Sequence, residues 1–135
     1  MFTYDHKIRV LYAETDQMGY VYYGNYAAYY EAARTEMLRH TGMSYRELEA
    51  MGVMMPVLDM HIKYIQPAKY DDLLTIRVTI KERPHVRIVF DYEVYNERGT
   101  LLNTGTTQLV FVDMVKNKPC RAPQIFQEKM APFFP

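Results

Sequence analysis

Apolar and polar residues alternate most regularly over residues 73–82, where Leu74, Ile76, Val78 and Ile80 are interleaved with Thr75, Arg77, Thr79 and Lys81. A period of two predicts a strand with one face on a core and the other toward water. The pattern recurs over 86–95, with Ile88, Phe90, Tyr92 and Val94 on one face. It recurs again over 4–12, where Ile8 and Val10 alternate with Lys7, Arg9 and Leu11. Residues 56–66 and 101–113 read as two further strands. Pro84 predicts a turn or bulge between the third and fourth strands, and Asn96-Glu-Arg-Gly99 reads as a hairpin turn.

Over 25–41 the period lengthens to that of a helix. Tyr26, Tyr30, Ala33, Met37 and Leu38 fall near one face. Asn25 is placed to cap the start, and Gly42 supplies a left-handed residue past the end. Ala27, Ala28, Ala32 and Ala33 are small enough for a neighbouring surface to come close. Glu31, Arg34 and Arg39 are expected to project outward or toward a neighbour, with Arg34 able to pair with Glu31 or Glu36 on the surface. Ser44-x-x-Glu47 is a capping box that opens a short helix ended by Gly52. Pro123 opens a last short helix. One long helix between a first strand and four more predicts an α+β fold with an antiparallel sheet. No repeat, low-complexity tract or linker divides residues 1–135, so one domain is expected, with 122–135 as a short helix and tail.

Composition narrows the function. The chain is 49% hydrophobic, enough to build a core. Its 16 basic and 16 acidic side chains cancel, which argues against a general nucleic-acid binder. No apolar run approaches the ~18 residues of a membrane helix, and the N-terminus lacks the pattern of a signal peptide. The one cysteine, Cys120, excludes an internal disulfide and a Cys-rich zinc site; a small apolar role suits it better than a nucleophile's. These features predict a cytoplasmic protein. The scattered histidines give no metal-ligand spacing, so neither metal nor other cofactor is expected.

The chemistry concentrates in residues 12–26. Glu14 and Asp16 lie on a loop with Gly19 and Gly24, and the loop runs into the helix at Asn25. A loop carboxylate can serve as base or nucleophile. The free N–H groups of a helix start can bind an oxyanion. By itself the pattern equally describes an aspartate that only shapes its turn. The order Asp16-x-x-Gly19-x-Val21-x-Tyr23-x-Asn25-Tyr26, then Tyr30-Glu31-Ala-Ala-Arg34-Thr-Glu36-Met-Leu38, resembles the 4-hydroxybenzoyl-CoA thioesterase/YbgC family. Tyr64-x-x-Pro67-Ala-x-Tyr70-Asp71-Asp72 extends the resemblance along the chain.

That resemblance implies a hot-dog fold, a five-stranded antiparallel sheet wrapped around the long helix, paired as a homodimer or homotetramer. It implies hydrolysis of a short-to-medium or aromatic acyl-CoA, with acyl carrier protein as a second carrier. Asp16 takes the place of the catalytic carboxylate. The backbone N–H groups near Tyr23 and Gly24 take the oxyanion, and Asn25 and Tyr26 border the substrate. Arg83, His85 and Arg87 sit at the turn where the family tends to put basic residues for the nucleotide; arginine suits phosphate. The other reading of that turn is a solvated edge whose charges deter aggregation. The YbgC branch usually carries a histidine just before the x-Asn/Ser-Tyr step, and this chain has none between His6 and His40. That gap keeps open a non-catalytic acyl-CoA or acyl-carrier binding protein on the same fold; it counts further against a dehydratase. The tyrosines between Tyr20 and Tyr30 read as packing or as an acyl wall. Met51, Met54, Met55 and Met60 read as core filling or as a flexible lining. Asp71 and Asp72 are expected to fix the turn into the third strand.

Overall fold

A computed structural model describes all 135 residues. Strand β1 (Phe2–Arg9) leads through two 3-10 turns, Tyr12–Glu14 and Tyr23–Asn25, into helix α1 (Tyr26–His40). Then come α2 (Tyr45–Ala50), β2 (Val53–Met54), β3 (Val57–Tyr64), β4 (Leu73–Ile80), β5 (Arg87–Tyr95) and β6 (Leu101–Val110). The chain ends with β7 (Val112–Asp113), β8 (Lys118–Pro119) and α3 (Gln124–Met130). Five strands form one antiparallel sheet in the order β1-β4-β5-β6-β3. The short strands β2, β7 and β8 make a second, small sheet.

The sheet bends round α1. The inward positions of β4 (Leu74, Ile76, Val78, Ile80) and β5 (Ile88, Phe90, Tyr92, Val94) are all buried, as alternation predicts. The predicted face of α1 meets them. Tyr30 stacks flat on Tyr92 of β5, with centroids 4.0 Å apart, and donates to Asn103 Oδ1 of β6 at 2.6 Å. One turn earlier, Tyr26 reaches Tyr64 of β3, at a centroid distance of 5.8 Å. Helix and sheet therefore share one core, and the N-terminal turn of α1 lies at the Tyr64 end of β3.

Several expectations change. The first strand stops at Arg9, not residue 12, because the Glu14 carboxylate accepts the Leu11 N–H at 2.7 Å and winds a turn there. The last strand breaks after Val110. Phe111 N–H turns to Val86 O at 2.9 Å, and Val112–Asp113 pairs with β2 and β8 instead. Asn25 does not cap α1: the 3-10 turn before it already places it in helical conformation, at φ −77° and ψ −17°. Arg34 turns toward a neighbour, the sheet, and does not pair with Glu31 or Glu36 on the surface. It is only 8% exposed, with Nη1 3.5 Å from the Tyr92 hydroxyl, because the sheet curls over this side of the helix. The surface pair on α1 is Arg39 with Glu36.

Other local rules hold. Gly42 takes φ +89° past the end of α1, and Ser44 Oγ accepts the Glu47 N–H at 3.2 Å. Asp71 adopts φ +66°, and Asp72 Oδ2 accepts the Lys69 N–H at 2.9 Å, closing the turn into β4. Strand β3 is the exception to burial. It sits at the sheet edge, and Val57, Leu58, Met60 and Tyr64 are all exposed along it.

Candidate active site

The loop from Glu14 to Asn25 is a folded clasp. Glu14 O accepts both the Tyr22 N–H at 2.9 Å and Asn25 Nδ2 at 2.8 Å. Asp16 N–H donates to Tyr20 O at 2.8 Å, and Val21 N–H donates to Ala68 O at 2.8 Å. The loop is thus tied to itself, to the start of α1 and to the segment after β3. The amide of Asn25, expected beside the substrate, is committed to this clasp.

Asp16 uses its two oxygens unequally. Oδ1 accepts the N–H groups of Met18 at 2.9 Å and Tyr20 at 3.2 Å. Oδ2 accepts nothing within the chain. Gly19, at φ +79°, makes the tight return possible. Asp16 opens into a cavity of about 350 Å³, walled chiefly by Met18, Tyr20, Tyr23, Tyr26, Tyr64 and Ile65. Burial pushes the Tyr26 phenol up to about 12, so it stays neutral and can donate, not act as a base.

Beside this cavity the N–H groups of Tyr23 and Gly24, at the first 3-10 positions before α1, donate to no acceptor in the chain. These are the orphan donors every helix start leaves. The ring of Tyr22 lies across Gly24, and a Cβ there would come 2.5 Å from its Cε2, so a larger residue would displace this exposed ring. Tyr23 itself lines the cavity; Gly24 follows it in sequence and does not.

The basic residues lie elsewhere. Lys81, Arg83, His85 and Arg87 border a separate cavity of about 490 Å³, together with the acids Glu82 and Asp91. Arg83 is partly spoken for: its Nε donates to Gln127 Oε1 of α3 at 3.1 Å. Arg87 pairs with Val110, and Val57 pairs with Leu109, so this cluster sits at the Val57 end of β3. The Asp16 cavity sits at the Tyr64 end, seven residues away, or roughly 23 Å along a strand. A single chain does not join the two groups. Of the methionines at positions 51, 54, 55 and 60, Met55 packs partly buried against the core, Met51 and Met60 are exposed, and none lines the Asp16 cavity. Met18, Tyr64 and Ile65 do line it. No local motif marks them as one site, because β3 and the loop are brought together only by the fold.

A five-stranded sheet closed on one long helix, with a carboxylate loop at the helix start, defines a hot-dog protein. Residues 10–130 match the family model described as the thioesterase-like superfamily. The chain is 41% identical over 117 residues to the acyl-CoA thioester hydrolase YbgC of Escherichia coli, covering 87% of each. It is 34% identical over 119 residues to the acyl-CoA thioesterase YbgC of Haemophilus influenzae, covering 87% of this chain and 86% of that one. Its fold superposes on the DHNA-CoA thioesterase of Staphylococcus aureus with a TM-score of 0.92 at 32% identity, covering 98% of this chain and 91% of the other. The chain belongs to the thioesterase-like superfamily and is a thioester hydrolase of the hot-dog fold. No helix is long and apolar enough to cross a membrane.

Proposed function

We propose that the chain, working as one domain, hydrolyses a short-to-medium or aromatic acyl-CoA to the free acid and CoA, with Asp16 as the chemical carboxylate. The observation that carries this is the asymmetry of Asp16, a residue lining the tyrosine-walled cavity: one oxygen is anchored by two N–H groups, and the other accepts nothing in the chain. The Tyr23 and Gly24 amides receive the oxyanion as the carbonyl carbon turns tetrahedral. Such a donor is worth roughly 3 kcal/mol in a transition state. Two routes use this geometry. The free oxygen attacks the carbonyl carbon, the thiolate of CoA leaves, and water then cleaves the mixed anhydride. Alternatively, it takes a proton from a water that attacks directly.

The basic turn supplies the nucleotide site in this proposal. A two-fold pairing of β3 edges runs the strands in opposite directions. It sets the Val57 end of one copy beside the Tyr64 end of the other, and so brings one protomer's Arg83, His85 and Arg87 toward the other's Asp16. The exposed apolar edge of β3 supports such a homodimer. Light scattering should then give twice 16.0 kDa, and Met60→Lys should shift the protein toward monomer with loss of activity. A fully active monomer overturns the pairing. The lone, half-buried Cys120, with no cysteine to pair with inside the chain, supports a reducing compartment such as the cytoplasm.

Release of free thiol from acetyl-, butyryl-, hexanoyl-, palmitoyl- and benzoyl-CoA tests the reaction and reads the acyl class. Tight binding of a non-hydrolysable CoA thioether, with no turnover of any ester, moves the assignment to a binding protein. Salt tests the nucleotide site. The Debye length falls from about 10 Å at 0.1 M to about 3 Å at 1 M, so KM should climb over that range. Arg87→Ala should raise KM several-fold at low salt, flatten the salt dependence and leave kcat nearly unchanged. A KM for Arg87→Ala that tracks wild type at every salt concentration assigns the turn to edge protection.

A further inference from the structure

We infer that Tyr64 is a positioning residue for hydrolysis, acting through the peptide that joins Tyr23 to Gly24. This role rests on the proposed assignment of the Gly24 N–H to the oxyanion. The hydroxyl of Tyr64 donates to Tyr23 O at 3.3 Å. The same carbonyl accepts the Tyr26 N–H. It is therefore held from two sides, by the first residue of α1 and by the last residue of β3.

The carbonyl of Tyr23 and the N–H of Gly24 belong to one planar amide and point in opposite directions. Whatever fixes the carbonyl fixes the line along which the N–H is aimed. A hydrogen bond accepted at the carbonyl also polarises the amide and makes its N–H a stronger donor. The Gly24 N–H is one of the two at this turn with no acceptor in the chain. The Tyr64 ring adds a second restraint. It meets Tyr23 edge-on with centroids 6.3 Å apart, and it forms part of the wall facing Asp16. Burial, and then the neighbouring Tyr23, raise the Tyr64 phenol, so the hydroxyl keeps its proton for this bond. Tyr64 does not touch the reacting atoms in this account; it aims a group that does.

The test compares wild type with Tyr64→Phe and Tyr64→Leu. The phenylalanine variant keeps the wall and loses the hydroxyl. Its kcat should fall about fivefold, the scale of one net hydrogen bond, with KM within twofold of wild type. In amide spectra of the same protein, the Gly24 nitrogen resonance should move upfield as its carbonyl partner is lost. The leucine variant should lose the same factor in kcat and also raise KM. A phenylalanine variant with full kcat, a change confined to KM, or an unmoved Gly24 resonance overturns the role. A wild type that turns over no thioester overturns the thioesterase assignment and this role with it. An active wild type matched by its phenylalanine variant overturns this role alone.

Discussion

Asp16→Asn should lower acyl-CoA turnover by about 100-fold or more, the range that a positioned acid–base or nucleophilic group contributes, and should leave the melting temperature nearly unchanged. The two halves of this expectation come from the two oxygens. An asparagine can point its Oδ1 at the Met18 and Tyr20 N–H groups, as Asp16 does now at 2.9 and 3.2 Å. The Asx turn, and with it the clasp from Glu14 to Asn25, therefore survives. What is lost is the free carboxylate oxygen: the amide that replaces it neither attacks a carbonyl nor accepts a proton from water. Thiol release on the acyl-CoA panel, run beside a thermal melt, separates chemistry from folding. Equal activity in the two proteins removes Asp16 from the reaction. A single turnover of wild type in ¹⁸O-water then distinguishes the routes. Label recovered in the Asp16 carboxylate after cleavage marks an anhydride opened at its aspartyl carbon; with label only in the released acid, an acyl group found on Asp16 by rapid quench marks an anhydride opened at its acyl carbon, and its absence marks direct attack by water.

The parts of this molecule legible in the sequence are those governed by neighbours in sequence. Leu74, Ile76, Val78 and Ile80 declare their face because a strand has a period of two, and all four are fully buried. Ser44 Oγ takes the Glu47 N–H and Asp72 Oδ2 takes the Lys69 N–H, each partner three residues away. The misreadings share the opposite property. Arg34 has suitable acids at helical spacing, yet its environment is set by Tyr92, 58 positions away. Asn25 has the composition of a cap, but the turn before it and Glu14, 11 positions back, decide what its amide does. The site divides in the same way. Asp16 and its turn are a local motif, and a family resemblance points straight to them. Tyr64 stands 41 positions from Tyr23, and only the closure of the sheet on α1 brings them together.

That closure depends on a position with no side chain, and Gly105→Ala should destabilise the fold by about 3 kcal/mol, the upper end for overpacking a filled core. A Cβ on Gly105 would lie 2.5 Å from Tyr30 Cε2, 2.6 Å from its hydroxyl and 2.9 Å from the backbone oxygen of His61. None of these can yield easily. The Tyr30 ring is pressed flat on Tyr92 at an interplanar angle of 3°, and its hydroxyl is held by Asn103 at 2.6 Å. His61 O belongs to β3, which pairs with Gly105 across the sheet through Ile62. Relief by moving Tyr30 breaks its bond to a fully buried amide, and a buried polar group left unpaired costs about 1–3 kcal/mol. Relief by moving the backbone separates β3 from β6, and the Tyr64 end of β3 forms one wall of the site. Urea unfolding reads the result as a lower midpoint with an unchanged slope. The contact itself is identified by a double-mutant cycle with Tyr30→Ala, in which the combined loss should fall short of the sum by more than about 1 kcal/mol. Additive losses, or a Gly105→Ala protein as stable as wild type, would mean that α1 does not bear on β6 at this point. Tyr26 lies one helical turn before Tyr30, so an α1 pushed off the sheet also displaces the start of the helix. Gly105→Ala should therefore lose activity at temperatures below its own melting transition, and that loss measures how far the packing of Tyr30 holds the oxyanion turn in place.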